Sequence, residues 1–554
     1  MCEGKNLLPK SKKVGDSSGS RPELHERFGL NAFLNDLKNV HSGSVPVSLV
    51  IAIVIGVICG VAAWLYYTLL EVFLKFFWKT LPRAVVENNP AWPESLYWLW
   101  IPIVCLFFSF LVGFAIVKLG FPGDLAYTVK CVHELGYVDM GHTPSMLVAS
   151  QCSILAGASL GPEAPLVAIC ASIAGWVSRN LFKQSIKNVV RKHTLCGMAC
   201  ALAAFFGVPL GGSLFALEIN HRLGYEYVEH AMVAVASGTT CIIVFRALAG
   251  LPIGAIWKIQ EAPLELASAS LVCVGALLGL FGAGLAALFA FGHDKLGKLV
   301  SRRNLGGKPI VLALCGGTMI ALLGVLVPQS MFWGEFELQS IATLGKTPLA
   351  HIWPTTGLTH FQLDSGAACL IAGFTKLVAI SFTVWGGFRG GYIFPFFCAG
   401  AAFGRAVTFL FPSLSPVVAC LCIAAGINVA ITRTAFSSSI ILVSLSGEAN
   451  AAAPIIAASL VSIFATYYMP FIRAQQGRCE LLESQLHAYR VDNLIDEAEA
   501  KARKPGFSYG DSKADRAVTY NSINAEDGDE VGYNPSCESL DRNTSAVSAV
   551  EAEH

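Results

Sequence analysis

The run Leu155-Ala156-Gly157-Ala158-Ser159-Leu160-Gly161-Pro162-Glu163-Ala164-Pro165-Leu166-Val167 sets one carboxylate inside an apolar stretch that continues to Arg179. Proline suits the first helical turn, because its missing N–H would have been an unpaired end donor in any case. The small residues Ala168, Ala171, Ser172, Ala174 and Gly175 follow Pro165. The pattern predicts a buried helix starting near Pro162–Pro165, with Glu163 at its positive end. Free backbone N–H groups and the helix dipole make such an end an anion site. A carboxylate tethered there competes with a free anion for the same donors. In a soluble protein this would be ordinary capping; inside a membrane an ionisable residue is costly and points to function.

The surroundings read as membrane. Of 554 residues, 54% are hydrophobic and 14% charged, and several apolar runs exceed the ~20 residues that cross the hydrocarbon core. The net charge is +1, and no basic patch suggests a nucleic-acid partner. Most of the 17 Cys stand singly in apolar runs, among them Cys59, Cys105, Cys170, Cys273 and Cys398. They lack metal-ligand spacing and read as small buried hydrophobes, so no metal site is expected.

Residues 1–44 are polar and Ser/Lys-rich and read as a cytosolic tail with a short surface helix near Phe28–Leu37. The first apolar run begins near Val45, too late for a cleaved signal, and reads as a retained span. Residues 45–472 read as a transmembrane domain, with spans at about 46–78 and 96–119 and further apolar segments such as 145–182, 193–221 and 414–443. Many are too broken by Gly and Pro to cross simply, and interrupted helices at membrane depth must be buried or line a cavity. Residues 473–554 read as a short cytosolic helix near 480–504 and an acidic, disordered tail containing Glu526-Asp527-Gly528-Asp529-Glu530. The predicted class is an all-α integral membrane protein.

The chain also repeats itself. Gly161-Pro162-Glu163-Ala164-Pro165 and Gly391-Tyr392-Ile393-Phe394-Pro395 are both Gly-x-x-x-Pro opening a small-residue helix. A second pair of blocks follows in matching order, Gly207-Val208-Pro209-Leu210-Gly211-Gly212 and then Arg433-Thr434-Ala435-Phe436-Ser437-Ser438. Interrupted segments at matching places in two halves, about 45–250 and 264–472, are the best sequence pointer to a midplane binding site. If both helix starts converge, the amides around Tyr392 and Ile393 and those near Glu163 surround one anion without a fixed cation, which suits an ion that must also leave.

These blocks resemble those of the CLC family of voltage-gated-type chloride channels and chloride/proton antiporters. In that family a Gly-Lys/Arg-Glu-Gly-Pro block carries a gating glutamate, matched by Gly161, Pro162 and Glu163. A Gly-x-Phe-x-Pro block supplies anion-binding amides, matched by Gly391, Tyr392, Ile393 and Phe394. The Pro-Leu-x-Gly block before a helix ending in Glu is matched by Pro209-Leu210-Gly211-Gly212 and Glu218. The resemblance covers about 46–470. It implies an inverted repeat of many tilted and broken helices, a homodimer with one anion path per subunit, cytosolic termini and no cofactor beyond the transported chloride or related anion.

Two departures from the family matter. The first anion-site block, Gly-Ser-Gly-Ile-Pro, stands here as Gly120-Phe121-Pro122-Gly123-Asp124, which puts Phe121 where the family has its anion-facing Ser. The antiporters' internal proton-transfer Glu is replaced by Ile219, directly after Glu218, which favours a passive channel gated by Glu163 over chloride/proton exchange. Tyr467 and Tyr468 are the nearest candidates for the family's pore tyrosine, and interfacial anchoring is the competing role. An organic-anion transporter is a further alternative, although only Arg389 among the key blocks could recruit a large anion. An intramembrane aspartyl protease is disfavoured, since Asp124 has no partner Asp. The expectation is a multi-pass membrane transport protein and not an enzyme, with the host membrane left open.

Overall fold

The computed structural model describes residues 45–469, apart from short interruptions at 91, 221–224, 252–253, 260–263, 265, 346–348 and 350–351. The expectations for 1–44 and 473–554 lie outside the described residues. Sixteen α-helices make up the described chain, with two residues joined in a single β-bridge.

The first eight are α1 (Val45–Lys75), α2 (Trp100–Leu119), α3 (Leu125–Glu134), α4 (Thr143–Leu155), α5 (Glu163–Trp176), α6 (Lys187–Phe206), α7 (Pro209–Asn220) and α8 (Tyr225–Ala249). The second eight are α9 (Ala269–Arg302), α10 (Pro309–Leu326), α11 (Glu335–Ala342), α12 (Gly366–Trp385), α13 (Ile393–Leu410), α14 (Pro416–Thr432), α15 (Ala435–Ser446) and α16 (Ala452–Ala465). Among the described residues, nine helices are long and apolar enough to cross a membrane.

The packing repeats with the sequence. α1 lies on α8 as α9 lies on α16; α5 on α6 as α13 on α14; α6 on α8 as α14 on α16; α2 on α4 as α10 on α12. Two further contacts, α2 with α10 and α7 with α15, join equivalent helices of the two halves. At the centre stand α6 and α14. Every residue from Val417 to Thr432 is buried, as is the run Lys192–Ala204, and a helix apolar all round must be enclosed on all sides.

Three of the apolar segments are each two helices. The run 145–182 divides between α4 and α5. The run 193–221 breaks at Gly207, and 414–443 breaks at Arg433, with φ of 71° and 63°. A left-handed residue ends a helix after its last carbonyls are satisfied. Glycine takes this conformation freely. Arg433 is held in it by its guanidinium, which donates to Thr466 Oγ1 at 2.9 Å, to the Thr466 carbonyl and to the Met469 carbonyl at 2.7 Å.

Helices approach closely where they carry glycine. A Cβ on Gly400 or Gly404 of α13 would fall 2.3–2.4 Å from the backbone of Ala424 or Cys420 on α14. Small residues four apart let two backbones meet in this way where lipid offers no hydrophobic drive.

Candidate anion site where two helix amino ends meet

The two Gly-x-x-x-Pro blocks come together. Gly161 and Gly391 exchange backbone hydrogen bonds, each N–H donating to the other's carbonyl at 2.7 Å. This antiparallel bridge places the amino ends of α5 and α13 side by side. α5 begins at Glu163 and α13 at Ile393.

Glu163 leans from its own helix onto the other one. Its Oε1 accepts from the Ile393 N–H at 3.2 Å. The carboxylate is 1% exposed, and Oε2 has no hydrogen-bond partner. Neither glycine of the bridge could carry a side chain beside it. A Cβ on Gly391 would lie 2.3 Å from the Glu163 carboxyl carbon, and one on Gly161 would lie 2.0 Å from Oε2.

Next to the carboxylate is a cavity of about 10 Å³, lined by Leu125, Glu163, Ile219, Tyr392, Ile393 and Thr432 among others. That is room for one water-sized occupant. Its walls come from α3, α5, α6, α7, α13 and α14, so elements of both halves meet there.

Gly161, Glu163, Gly391, Tyr392 and Ile393 are thus gathered at one point. Pro162 is the N-cap of α5 and faces a second small cavity beside Tyr66 and Tyr67. The Phe394 side chain points elsewhere, packing its ring against Phe205, Phe206 and Trp257.

Phe121 is not in the lining. It is 48% exposed and meets the Tyr127 ring at 6.0 Å and the Arg389 guanidinium at 5.1 Å. The reason is where α3 starts. Asp124 is its N-cap, accepting from the Tyr127 N–H at 2.7 Å, so Leu125 is the first helical residue and the one that reaches the cavity. Aspartate is among the strongest N-caps, and that signal, rather than the spacing of Gly120, would have located the helix end.

Tyr467 and Tyr468 are 69% and 93% exposed and meet edge to face at 5.1 Å. Neither lines the cavity. Thr432 does, and sequence reasoning missed it. It is the residue before the break at Arg433, the counterpart of Phe206 before Gly207, and so unlike its repeat partner that the repeat gave no hint of it.

Glu218 repeats the theme of Glu163 with a different outcome. It stands on α7 and accepts from the N–H groups of Phe436 at 3.2 Å and Ser437 at 3.0 Å and from the Ser437 hydroxyl. It therefore caps the amino end of α15 with both oxygens engaged. Of two carboxylates that cross from the first half to a helix start in the second, one is fully held and one keeps an oxygen without a hydrogen-bond partner.

A sequence model of the family described as "Voltage gated chloride channel" matches residues 123–467, more than half of the chain. The chain belongs to that family. It is accordingly a multi-pass membrane protein for ion transport and not an enzyme, and transporters of this family need no cofactor, the anion being the substrate. It is 24% identical over 379 residues to "Putative ion-transport protein YfeO" of Salmonella schwarzengrund (strain CVM19633), covering 66% of this chain and 82% of that one. Its fold is similar to that of a slow cyanobacterial Cl−/H+ antiporter, with TM-score 0.63, 18% identity, and coverage of 78% of this chain and 97% of that one. It is also similar to a CLC-type fluoride/proton antiporter, with TM-score 0.58, 21% identity, and coverage of 77% and 97%. A eukaryotic CLC transporter gives TM-score 0.60, 18% identity, and coverage of 77% and 74%.

Proposed function

We propose that this protein is a passive channel for chloride or a related small anion, gated by Glu163. The observation that carries the reading is the Glu163 side chain lying across the Gly161–Gly391 bridge, with one oxygen on the Ile393 amide and the other buried without a hydrogen-bond partner, in a residue that lines the cavity. Backbone N–H groups at a helix start attract an anion without a fixed charge to trap it. The ionised carboxylate takes those donors; once protonated, or swung aside, it leaves them to the passing ion. Low pH on the accessible side therefore opens the path.

Ile219 in the cavity wall supports conduction over exchange, because it cannot carry a proton onward from Glu163. The opposite reading, anion/proton exchange, is favoured by the fold's likeness to Cl−/H+ and F−/H+ antiporters. Purified protein in liposomes with an outward chloride gradient separates the two. Chloride efflux without uphill proton movement is expected; protons driven against their gradient would refute the channel. The family resemblance further suggests two copies, each with its own path, which the mass of the detergent-solubilised particle checks.

A further inference from the structure

A large opening away from the anion site lies at one end of the helix array. α12 packs against both α9 and α10, but α9 and α10 do not pack along one another. Between them is a slot of about 510 Å³, within the ~300–1,000 Å³ typical of ligand pockets. Its walls are apolar, with Leu299 and Val300 from α9, Met319 from α10 and Phe382 from α12, and Arg303 lines it as well.

The charge around the slot is one-sided. Lys295, Lys298, Arg302, Arg303 and Lys308 fall within fourteen residues. The acid just before them, Asp294, is already paired with Lys298 at 2.7 Å. The connections at the other ends of α9 and α10 hold one Lys each, Lys258 and Lys346, against Glu261, Glu265, Glu335, Glu337 and Asp364. An excess of Lys and Arg marks cytosolic connections, so the slot opens at the cytoplasmic leaflet, where anionic lipids give the surface its negative potential. α9 has 34 residues, longer than the ~20 that span the hydrocarbon, so its basic last turns reach headgroup level.

We propose that this slot binds an anionic phospholipid of the cytoplasmic leaflet, its acyl chain against Leu299, Val300, Met319 and Phe382 and its phosphate drawn by Arg303 and Lys308. The lipid would buttress the root of the transport loop. The floor of the slot ends at Trp385 and Gly386, and the chain runs from there to Gly391. Trp385 is also tied to α9, its Nε1 donating to the His293 carbonyl at 2.9 Å.

Cys315 lines the slot and is exposed, which provides a probe. The test places the full chain in nanodiscs of phosphatidylcholine, with or without phosphatidylserine, and follows maleimide labelling of Cys315 by peptide mass spectrometry. Exposed Cys273, near the other end of α9, is the internal reference. Phosphatidylserine is expected to slow Cys315 labelling by about five-fold for each of the two cations engaged. Arg303→Gln with Lys308→Gln should return the rate to that in phosphatidylcholine, while Arg303→Lys should keep the protection. Equal rates in the two lipids would overturn the proposal. So would protection that survives the double substitution, or protection in phosphatidylcholine by inorganic phosphate alone.

Discussion

Two glutamates of the first half cross to helix starts of the second, and the difference between them decides what each can do. Glu163 has one oxygen engaged and one free. Glu163→Gln keeps the shape but removes the charge, so anion flux should rise and lose most of its pH dependence in liposome efflux assays. Unchanged pH dependence would remove Glu163 from the gate. Glu218 accepts three hydrogen bonds. Glu218→Ala leaves two N–H groups and a hydroxyl without their acceptor, and should cost roughly 1–3 kcal/mol, read as a lower unfolding temperature, with the pH profile of transport unmoved. Glu335 is a third case, on α11 outside the spanning helices. Burial pushes its carboxyl up to about 7, against the opposing pull of the Trp333 hydrogen bond and Arg246. A folded-state value above the unfolded one means that the folded protein holds the proton more tightly. Stability from this group is therefore greatest in acid and falls as pH rises from about 4.5 through about 7. The unfolding temperature should drop between pH 5 and pH 8 by roughly a few degrees, and Glu335→Gln should flatten that slope.

At the scale of elements, the starts of helices form the proposed anion site and their close crossings hold the fold. Gly391→Ala would put a methyl carbon where the Glu163 carboxyl now lies. The side chain would be displaced, and the variant should conduct like Glu163→Gln in the same efflux assay while Glu163 itself is intact. Gly400→Leu on α13 would strike the backbone of Ala424, with no flexible atom to give way, and should abolish the monodisperse peak in size-exclusion chromatography. How far such elements can be read from sequence depends on whether their cause is local. The starts of α5 and α13 were legible, because Gly, Pro and a lone acid in an apolar run are local signals. The blocks at Gly207 and Arg433 were legible as interruptions, but what holds the left-handed turn at Arg433 was not, since its guanidinium is fixed by groups more than thirty residues away. Phe121 was matched to the family's anion-facing Ser by spacing from Gly120, whereas the cap at Asp124 makes Leu125 the residue that reaches the cavity.

At the scale of the molecule, the division into two like halves was legible in four matching blocks, and the packing of the second half reproduces that of the first. What sequence could not provide is how the halves hold each other, since those contacts join residues more than two hundred positions apart. They include the Gly161–Gly391 bridge, the Glu218 cap on α15 and the Arg389 N–H donating to Ser153 Oγ at 2.9 Å. The Lys376 ammonium adds a long-range tie within the second half, donating to the carbonyls of Ser330, Met331 and Phe332 at 3.2, 2.9 and 2.7 Å. Lys376→Met strands three carbonyls in a buried place and should lower the unfolding temperature markedly, a loss expected to exceed that of Glu218→Ala.

The bridge of two glycines also sets up an imbalance. Counting onward from each glycine, the first half arrives at Glu163 and the second at Ile393, an acid against a hydrocarbon. If Glu163 is the gate proposed above, a scaffold built from two like pieces keeps that charge off the line that relates them. Ions entering from opposite faces meet that charge at different stages of their journey, so the passage has a direction built into it. Current through it should rectify.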